Sequence, residues 1–474
     1  MLTASKKKRS VNFISLGCPK NLVDSEVMLG LLDKEDFEIV PPDQKSHITV
    51  INTCGFVEDS KKESIDTILE VAERKKQGQL DLLVVTGCLS QRYKEELPEL
   101  LPEVDLFLGT GDYLKLPGLI RHKLAGHAGR SYVSKPEFVP DHLTPKKQIT
   151  PFYTKYVKIS EGCSHKCSFC VIPFMRGDLK SRTTKSIYEE IRLGIENGVK
   201  EFNLVGQDLN EYGRDLKERS SLYKLLESLE SLEGNFWLRL MYLYPLQFPD
   251  RLVDLIARHP HVIPYVDIPL QHIGDRMLKK MNRGSSSHYI YRLIDQLKTK
   301  IPEITLRTTF IVGHPGETEK DFEELLTFVR TTEFDRVGVF QYSQEDGTPS
   351  FEMNGQVEEK VKAMRYHELM GLQQKISLKK NKNWIGKTVT AILEGPSKES
   401  DLLLSARHQA QAPEIDGEIL IRSLGEYRDQ QDSPQIKIGD FCDVKIVEAY
   451  EYDLLGEITE SNTRRNSNLL RLEL

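Results

Sequence analysis

The chain has 474 residues, 39% of them hydrophobic and 29% charged, with seven cysteines and a formal net charge of −6. That length exceeds one ordinary core, so the composition describes a globular protein of several domains. No apolar run approaches a membrane span, an odd cysteine count spread along a long chain argues against a disulfide framework, and the acidic balance argues against a dedicated nucleic-acid binder.

The opening stretch MLTASKKKRSVNFISLGCPKN has a basic cluster without the apolar run or cleavage site of a secretory signal, so the expected location is cytoplasmic. Over residues 10–123, the β-branched runs VNFISLG, HITVINT and DLLVVTG alternate with helical stretches such as DSKKESIDTILEVAERKK. This pattern predicts a parallel sheet covered on both faces. Cys18, Cys54 and Cys88 each close one of those strands. The strand carboxyl ends of a doubly wound sheet share one edge, where ligands bind, so these three residues can meet in space. Isolated cysteines are also common core residues. Gly17, Gly55 and Gly87 stand beside them and admit a bulky group. Residues 124–150 lack periodicity and read as a linker.

Between residues 149 and 380, six strands (YVKIS, EFNLVG, LRLMYL, YVDIPL, ITLRTTFIVG, RVGVFQYS) alternate with amphipathic helices, the last at roughly 357–380. The repeat predicts a (β/α) barrel or an open part of one, with its chemistry at the carboxyl ends of the strands. From 383 to 460, the short strands KTVTAILEG, LLLSARH, GEILIRS, DFCDVKIVEAY and DLLGEIT predict a small antiparallel β-barrel of a binding type. The tail SNTRRNSNLLRLEL is expected to be mobile. The fold class is therefore α/β: a parallel-sheet domain, a central partial (β/α) barrel and a small C-terminal β-barrel.

EGCSHKCSFCVIP follows the first barrel strand and places Cys163, Cys167 and Cys170 on one loop at the catalytic end. Unreactive buried thiols are the plainer reading, but three so close together are rare by chance. A structural zinc site usually takes a fourth protein ligand, and His165 lies so close to its neighbours that it would strain to supply it. Three thiolates with an open position suit a [4Fe-4S] cluster with one free iron.

The spacing CxxxCxxC, with Phe169 before its last cysteine, resembles the radical S-adenosylmethionine enzymes. In that family the free iron chelates S-adenosylmethionine, and an electron from the cluster cleaves it to a 5′-deoxyadenosyl radical. SLGCPKNLVDSE, INTCGFV, TGCLSQRY, KISEGCSHKCSFCVIPFMRG and TFIVGHPGETEKDF, covering about residues 10–460, narrow the resemblance to the methylthiotransferases, whose last domain is called TRAM. The resemblance implies two [4Fe-4S] clusters, an auxiliary one on Cys18, Cys54 and Cys88 and a radical one on Cys163, Cys167 and Cys170. It further implies sulfur delivered through the auxiliary cluster, a methyl group from a second S-adenosylmethionine, and an electron donor such as flavodoxin or ferredoxin. The sulfur donor stays unnamed.

Around the implied centre, Gln207 and Asp208 fall at the barrel mouth, where they can bond cofactor or substrate or simply be solvated. Gly313 and Pro315 shape a turn against the adenosyl group, or an ordinary strand-to-helix turn with Glu317 near the helix start; the P-loop pattern is missing. Arg176 and Arg182 can pair with a carboxylate of cofactor or substrate, against a default of solvated charge. His272, beside Gln271 at another strand end, is a proton carrier or a hydrogen-bonded structural residue. Cys442 receives no function.

Two substrate classes follow from the resemblance. The transfer-RNA enzymes of the family, which modify an adenosine beside the anticodon, usually read GCQMN at the first cysteine, whereas this chain reads GCPKN. The other branch methylthiolates the β-carbon of an aspartate in a small-subunit ribosomal protein, and ARHQAQAPEIDGEILI is similar to it. From Asn381 onward the chain has 11 Lys+Arg and 17 Asp+Glu, which carries the whole net charge of −6. An RNA grip should be basic, whereas an acidic module complements a basic ribosomal protein; surface acid also serves solubility alone. A non-catalytic iron–sulfur or zinc RNA-binding protein is the alternative of another class, disfavoured by the barrel and its cysteine loop. No membrane is implied, and nothing demands more than a monomer.

Overall fold

Alternating β-branched residues make the first sheet. The computed structural model describes residues 8–35, 37–42, 44–400, 402–422 and 436–459, so the tail SNTRRNSNLLRLEL lies outside the described residues. Six parallel strands run in the order Phe37–Ile39, Arg9–Ser15, Ile48–Thr53, Leu82–Gly87, Leu106–Leu108, Ser131–Tyr132. Val11, Val50 and Val84 pack on one face against Val27, Leu32 and Ile120 of the helices Pro19–Lys34 and Leu116–Leu124. Ile51, Leu83 and Val85 pack on the other against Ile68 and Val71 of the helix Glu58–Lys76. Ser131–Tyr132 corrects the reading of 124–150 as linker only: two residues leave no periodic signal, yet they pair with Leu106–Leu108.

The second sheet is an open, all-parallel set of six strands, ordered Arg336–Gln341, Thr305–Val312, Val262–Asp267, Trp237–Leu240, Glu201–Val205, Thr154–Lys158. Alternation along each strand separates its two faces. Val157, Phe202, Leu204, Leu238, Leu240 and Val266 join the helices in one large apolar core. Tyr156, Val205, Trp237, Ile263 and Tyr265 turn to the inner face. Side-chain caps start the outer helices: Thr183, Ser221, Ser286 and Thr318 accept from the backbone N–H groups of Ser186, Lys224, Tyr289 and Asp321. No helix among the described residues is long and apolar enough to cross a membrane.

The last unit is a closed five-stranded barrel, with Cys442 fully buried in its core. Its pairing is antiparallel except between Ile419–Arg422 and Leu454–Ile458, which run parallel. Alternation alone does not fix the direction of pairing, so this exception was not legible in the strand pattern. Segment 409–416 enters the inner face of the open sheet. Arg239 donates to the carbonyls of Gln409 and Gln411, each at 2.9 Å, and the Tyr265 hydroxyl donates to Asp416 at 2.7 Å. Glu201, fully buried, accepts from Arg239 at 2.8 Å and from Arg407 at 2.6 Å. Burial pushes the Glu201 carboxyl up, but Arg407 and Arg239 outweigh it and hold the group down at about 2.

Glu201→Gln leaves Arg239 without a carboxylate and Arg407 with Glu394 alone, and breaking a buried pair costs about 3–5 kcal/mol. We expect that loss in denaturant unfolding at neutral pH. Because the folded value is depressed, the Glu201 contribution is present above the ordinary glutamate range, about 4.3, and is lost as pH falls through about 2. The difference between wild type and variant should therefore shrink on acidification. Equal stability of the two at neutral pH contradicts this.

Candidate active site

Three neighbouring strands of the first sheet end at cysteines. Cys18 caps the helix Pro19–Lys34, Cys54 follows Ile48–Thr53, and Cys88 opens the helix Cys88–Arg92. Buried Asn21 ties these ends together, donating to the carbonyls of Leu16 at 3.0 Å and Thr53 at 2.9 Å, while the Cys88 thiol donates to Asn21 Oδ1 at 3.6 Å. Ser64 fixes Cys54 by accepting from its N–H at 3.0 Å and donating to its carbonyl at 2.9 Å. Gly17 has φ +91°, and a Cβ there would stand 2.9 Å from Cys54 Cβ and 3.3 Å from its sulfur, so only glycine lets this loop close on the thiol. Burial pushes Cys88 up to about 12 against the opposing charge of Arg176, with Cys54 and Cys18 adding to the rise. Burial also raises Cys18, but Lys20 and Arg176 outweigh it, so this thiol lies below its ordinary value and ionises first of the two.

The second cysteine loop leaves the strand Thr154–Lys158 and is pinned by Cys163 N–H to the Gly177 carbonyl and Ser168 N–H to the Met281 carbonyl, each at 3.0 Å. Burial raises Cys163 to about 11 and Cys170 to about 12, and the Cys167 charge adds to both. The other candidates gather round this loop. Gln207 Nε2 donates to Glu161 at 2.8 Å, while its Oε1 is buried without a partner among the described residues. Phe169 meets the His314 ring edge-on at 6.4 Å, and His314 Nε2 lies 3.1 Å from Ser168 Oγ. Gly313 has φ +78°, and its N–H donates to Glu317 at 2.6 Å. Glu317 thus locks the turn containing Gly313 and buried Pro315, while the following helix is capped by Thr318 and Asp321. Burial lifts Glu317 to about 7 against the nearby Arg365.

Several expectations change. Asp208 is only 4% exposed and its oxygens are occupied: Oδ1 accepts from the N–H groups of Asn210 and Tyr244, and Oδ2 lies 2.8 Å from His165 Nε2. The default of solvated charge fails for both arginines. Arg182 is buried against Glu190 at 2.6 Å and donates to the Lys158 carbonyl at 3.0 Å, which commits it to the frame. Arg176, 2% exposed, donates to Asp24 at 2.6 Å, Glu161 at 3.1 Å and Asn21 Oδ1. Burial pushes His272 down to about 3, so it stays neutral and accepts from the Gly274 N–H through Nδ1. That is the structural role, not the proton carrier.

Arg176 belongs to a buried network that joins the two cysteine sets. Lys158 donates to Glu161 at 2.6 Å and also pairs with Asp24. Cys88 shares an apolar cluster with Val171 and Met175, just beyond Cys170, and the Thr110 hydroxyl donates to the Met175 carbonyl at 2.5 Å. Asn21, Asp24, Lys158 and Glu161 were missed in the sequence. The available signal was their place beside the cysteines, in SLGCPKNLVDSE and KISEGC.

The donor sets test what they can hold. A single tetrahedral zinc with bonds of 2.3 Å brings its sulfurs to about 3.8 Å from each other. Among the described residues no three cysteine sulfurs lie within 4.8 Å of one another; the one group of metal-ligating side chains that close is His165, Asp208 and Glu211. Among the described residues neither cysteine set therefore closes a single-ion zinc site. The unpartnered Gln207 oxygen beside the second loop offers an acceptor to an amino group, which S-adenosylmethionine carries.

A three-cysteine loop at the carboxyl end of the first strand of an open parallel barrel defines a radical S-adenosylmethionine enzyme, and residues 157–329 match the radical SAM superfamily. Residues 10–109 match the uncharacterized protein family UPF0004, and residues 385–459 match the TRAM domain. The ribosomal protein uS12 methylthiotransferase RimO of Geotalea uraniireducens is 47% identical over 97% of this chain and 100% of its own length. Its namesake in Geobacter sulfurreducens is 46% identical over 96% of this chain and 99% of its own. The chain belongs to the RimO family of radical S-adenosylmethionine methylthiotransferases. The fold is also that of the methyltransferase TsrM of Kitasatospora setae, solved with cobalamin and a [4Fe-4S] cluster, at 15% identity and a TM-score of 0.55 over 72% of this chain and 77% of that one.

Arg176→Met leaves Asp24 and Glu161 sharing the single cation Lys158. We expect a loss of about 3–5 kcal/mol in denaturant unfolding. An unfolding curve superimposed on wild type contradicts the assignment of Arg176 to this network.

Proposed function

We propose that this protein methylthiolates the β-carbon of an aspartate in ribosomal protein uS12. The reading rests above all on one observation: a buried network of Asn21, Asp24, Lys158, Glu161 and Arg176 joins the helix after Cys18 to the segment just before Cys163, and the charge of Arg176 lowers Cys18 and opposes the rise of Cys88. Cys163, Cys167 and Cys170 hold the radical [4Fe-4S] cluster, and Cys18, Cys54 and Cys88 a second one. When bound, these groups and S-adenosylmethionine supply one-electron activation of a C–H bond and the sulfur and methyl to be transferred.

The chain's own residues orient and enclose that chemistry. Gln207 accepts from the cofactor through its free oxygen, Phe169 covers the loop beside it, and Gly313 and Pro315 form the turn against which the adenosyl group rests. Asp208 acts through His165, and Arg176 balances the anionic charge of the auxiliary set. The working units are residues 10–123, 149–380 and 383–460, the last acidic and suited to a basic ribosomal protein. The enzyme works in the cytoplasm as a monomer, reduced by a flavodoxin or ferredoxin.

The test is iron per chain after anaerobic reconstitution, together with the mass of uS12 after turnover. Wild type should hold about eight irons, as two four-iron clusters require, and a Cys163/Cys167/Cys170 triple alanine variant about four. Wild type should add the methylthio group to uS12, and the variant none. Four irons in wild type falling to none contradicts the second cluster, and modification of transfer RNA instead of uS12 contradicts the substrate.

A further inference from the structure

One buried cation near the second cysteine loop has no carboxylate. Arg283 is 5% exposed, and among the described residues it forms no ion pair. Its Nη2 donates to the Pro269 carbonyl at 2.5 Å, its Nη1 donates to Cys167 Sγ at 3.5 Å, and its buried Nε has no partner. Every other arginine buried as deeply in the inner face and the interdomain network meets an acid: Arg176 meets Asp24, Arg239 and Arg407 meet Glu201. An uncompensated guanidinium inside a protein is expensive, so its counter-charge is expected among the groups beside it. The groups beside Arg283 that become anionic on ligating a metal are the sulfurs of Cys167, at 3.5 Å, and of Cys170, whose thiol the charge of Arg283 lowers.

The position of Arg283 is over-determined. Its guanidinium carbon lies 4.0 Å from the centre of the Tyr244 ring, and the His165 ring stacks on Tyr244 at 3.9 Å and 13°. Two groups at those distances cannot share one face of a ring, so Tyr244 is sandwiched between them. The Tyr244 hydroxyl donates to the Arg283 carbonyl, and Asp208 holds both the His165 ring and the Tyr244 N–H. His165 lies between Cys163 and Cys167 in sequence, so the column begins and ends on the same cysteine loop.

We propose that Arg283, held by the Tyr244–His165 column, is a positioning residue that sets the reduction potential of the radical cluster through Cys167. A cation and an N–H group at a ligating sulfur stabilise the reduced, more negative cluster and raise its potential. The proposal rests on the assignment of Cys167 as a cluster ligand.

The test is an EPR-monitored redox titration of the full chain carrying Cys18, Cys54 and Cys88 as alanine, so that only the radical cluster contributes. Arg283→Gln should lower the midpoint, so that the ratio of reduced to oxidised cluster at a fixed potential falls at least tenfold, about 59 mV for one electron. Arg283→Lys, which keeps the charge, should stay closer to wild type. An unchanged midpoint in Arg283→Gln, or equal shifts in both variants, overturns the role. Where Arg283→Gln holds no cluster, pulsed EPR of the parent chain labelled with ¹⁵N in its arginines decides. A nitrogen coupling that disappears in Arg283→Lys supports the contact, and no coupling overturns it. A parent chain that binds no iron at all strikes the Cys167 assignment, and the function proposed above with it.

Discussion

Lys158, Asp24, Arg176 and Glu161 bring four charges out of water at the seam between the first sheet and the open barrel. Burial alone opposes every one of them. Glu161 nevertheless stays ionised: burial pushes it up, and Arg176 with Lys158 overcome that and hold it at about 2. Such a network has no tolerance for a missing member, because each partner left behind is a buried charge. It therefore fixes how the helix after Cys18 meets the strand before Cys163. The two cysteine-bearing segments are thereby tied to one seam.

A similar rule governs the other end of the barrel. Glu201, Arg239 and Arg407 seat the segment 409–416 of the C-terminal barrel in the inner face of the open sheet. That face carries polar and aromatic side chains where the outer face carries leucine and valine, so it needs a partner able to satisfy hydrogen bonds. Carbonyls of the inserted segment meet that need. The segment 409–416 is thereby attached to the open sheet, away from the cysteine loop that follows the strand Thr154–Lys158.

The elements were legible in the sequence because periodicity is local. EKDFEELLTFVRTT spans the helix Glu319–Thr332, and the five short runs after residue 383 each become a strand. Cys163, Cys167 and Cys170 were legible for the same reason, and Cys18, Cys54 and Cys88 because parallel strands align their ends. What was not legible depends on distance along the chain. Lys158 and Asp24 are 134 residues apart, and Arg176 and Asn21 are 155 apart. No local pattern tells a buried, paired arginine from a solvated or substrate-facing one, so the sequence leaves Arg176 and Arg182 between a cofactor or substrate carboxylate and solvent, and KKMNRG gives no sign of the place of Arg283.

The central claim is that the two cysteine sets work as one site. EPR of the fully reduced wild type, compared with the sum of spectra from variants that each keep a single cluster, tests it most directly. Two reduced clusters facing each other across the seam should broaden and relax one another, so the wild-type spectrum should depart from the sum. A wild-type spectrum equal to the sum, with both clusters present and reduced, would mean that the centres lie apart and would contradict the account.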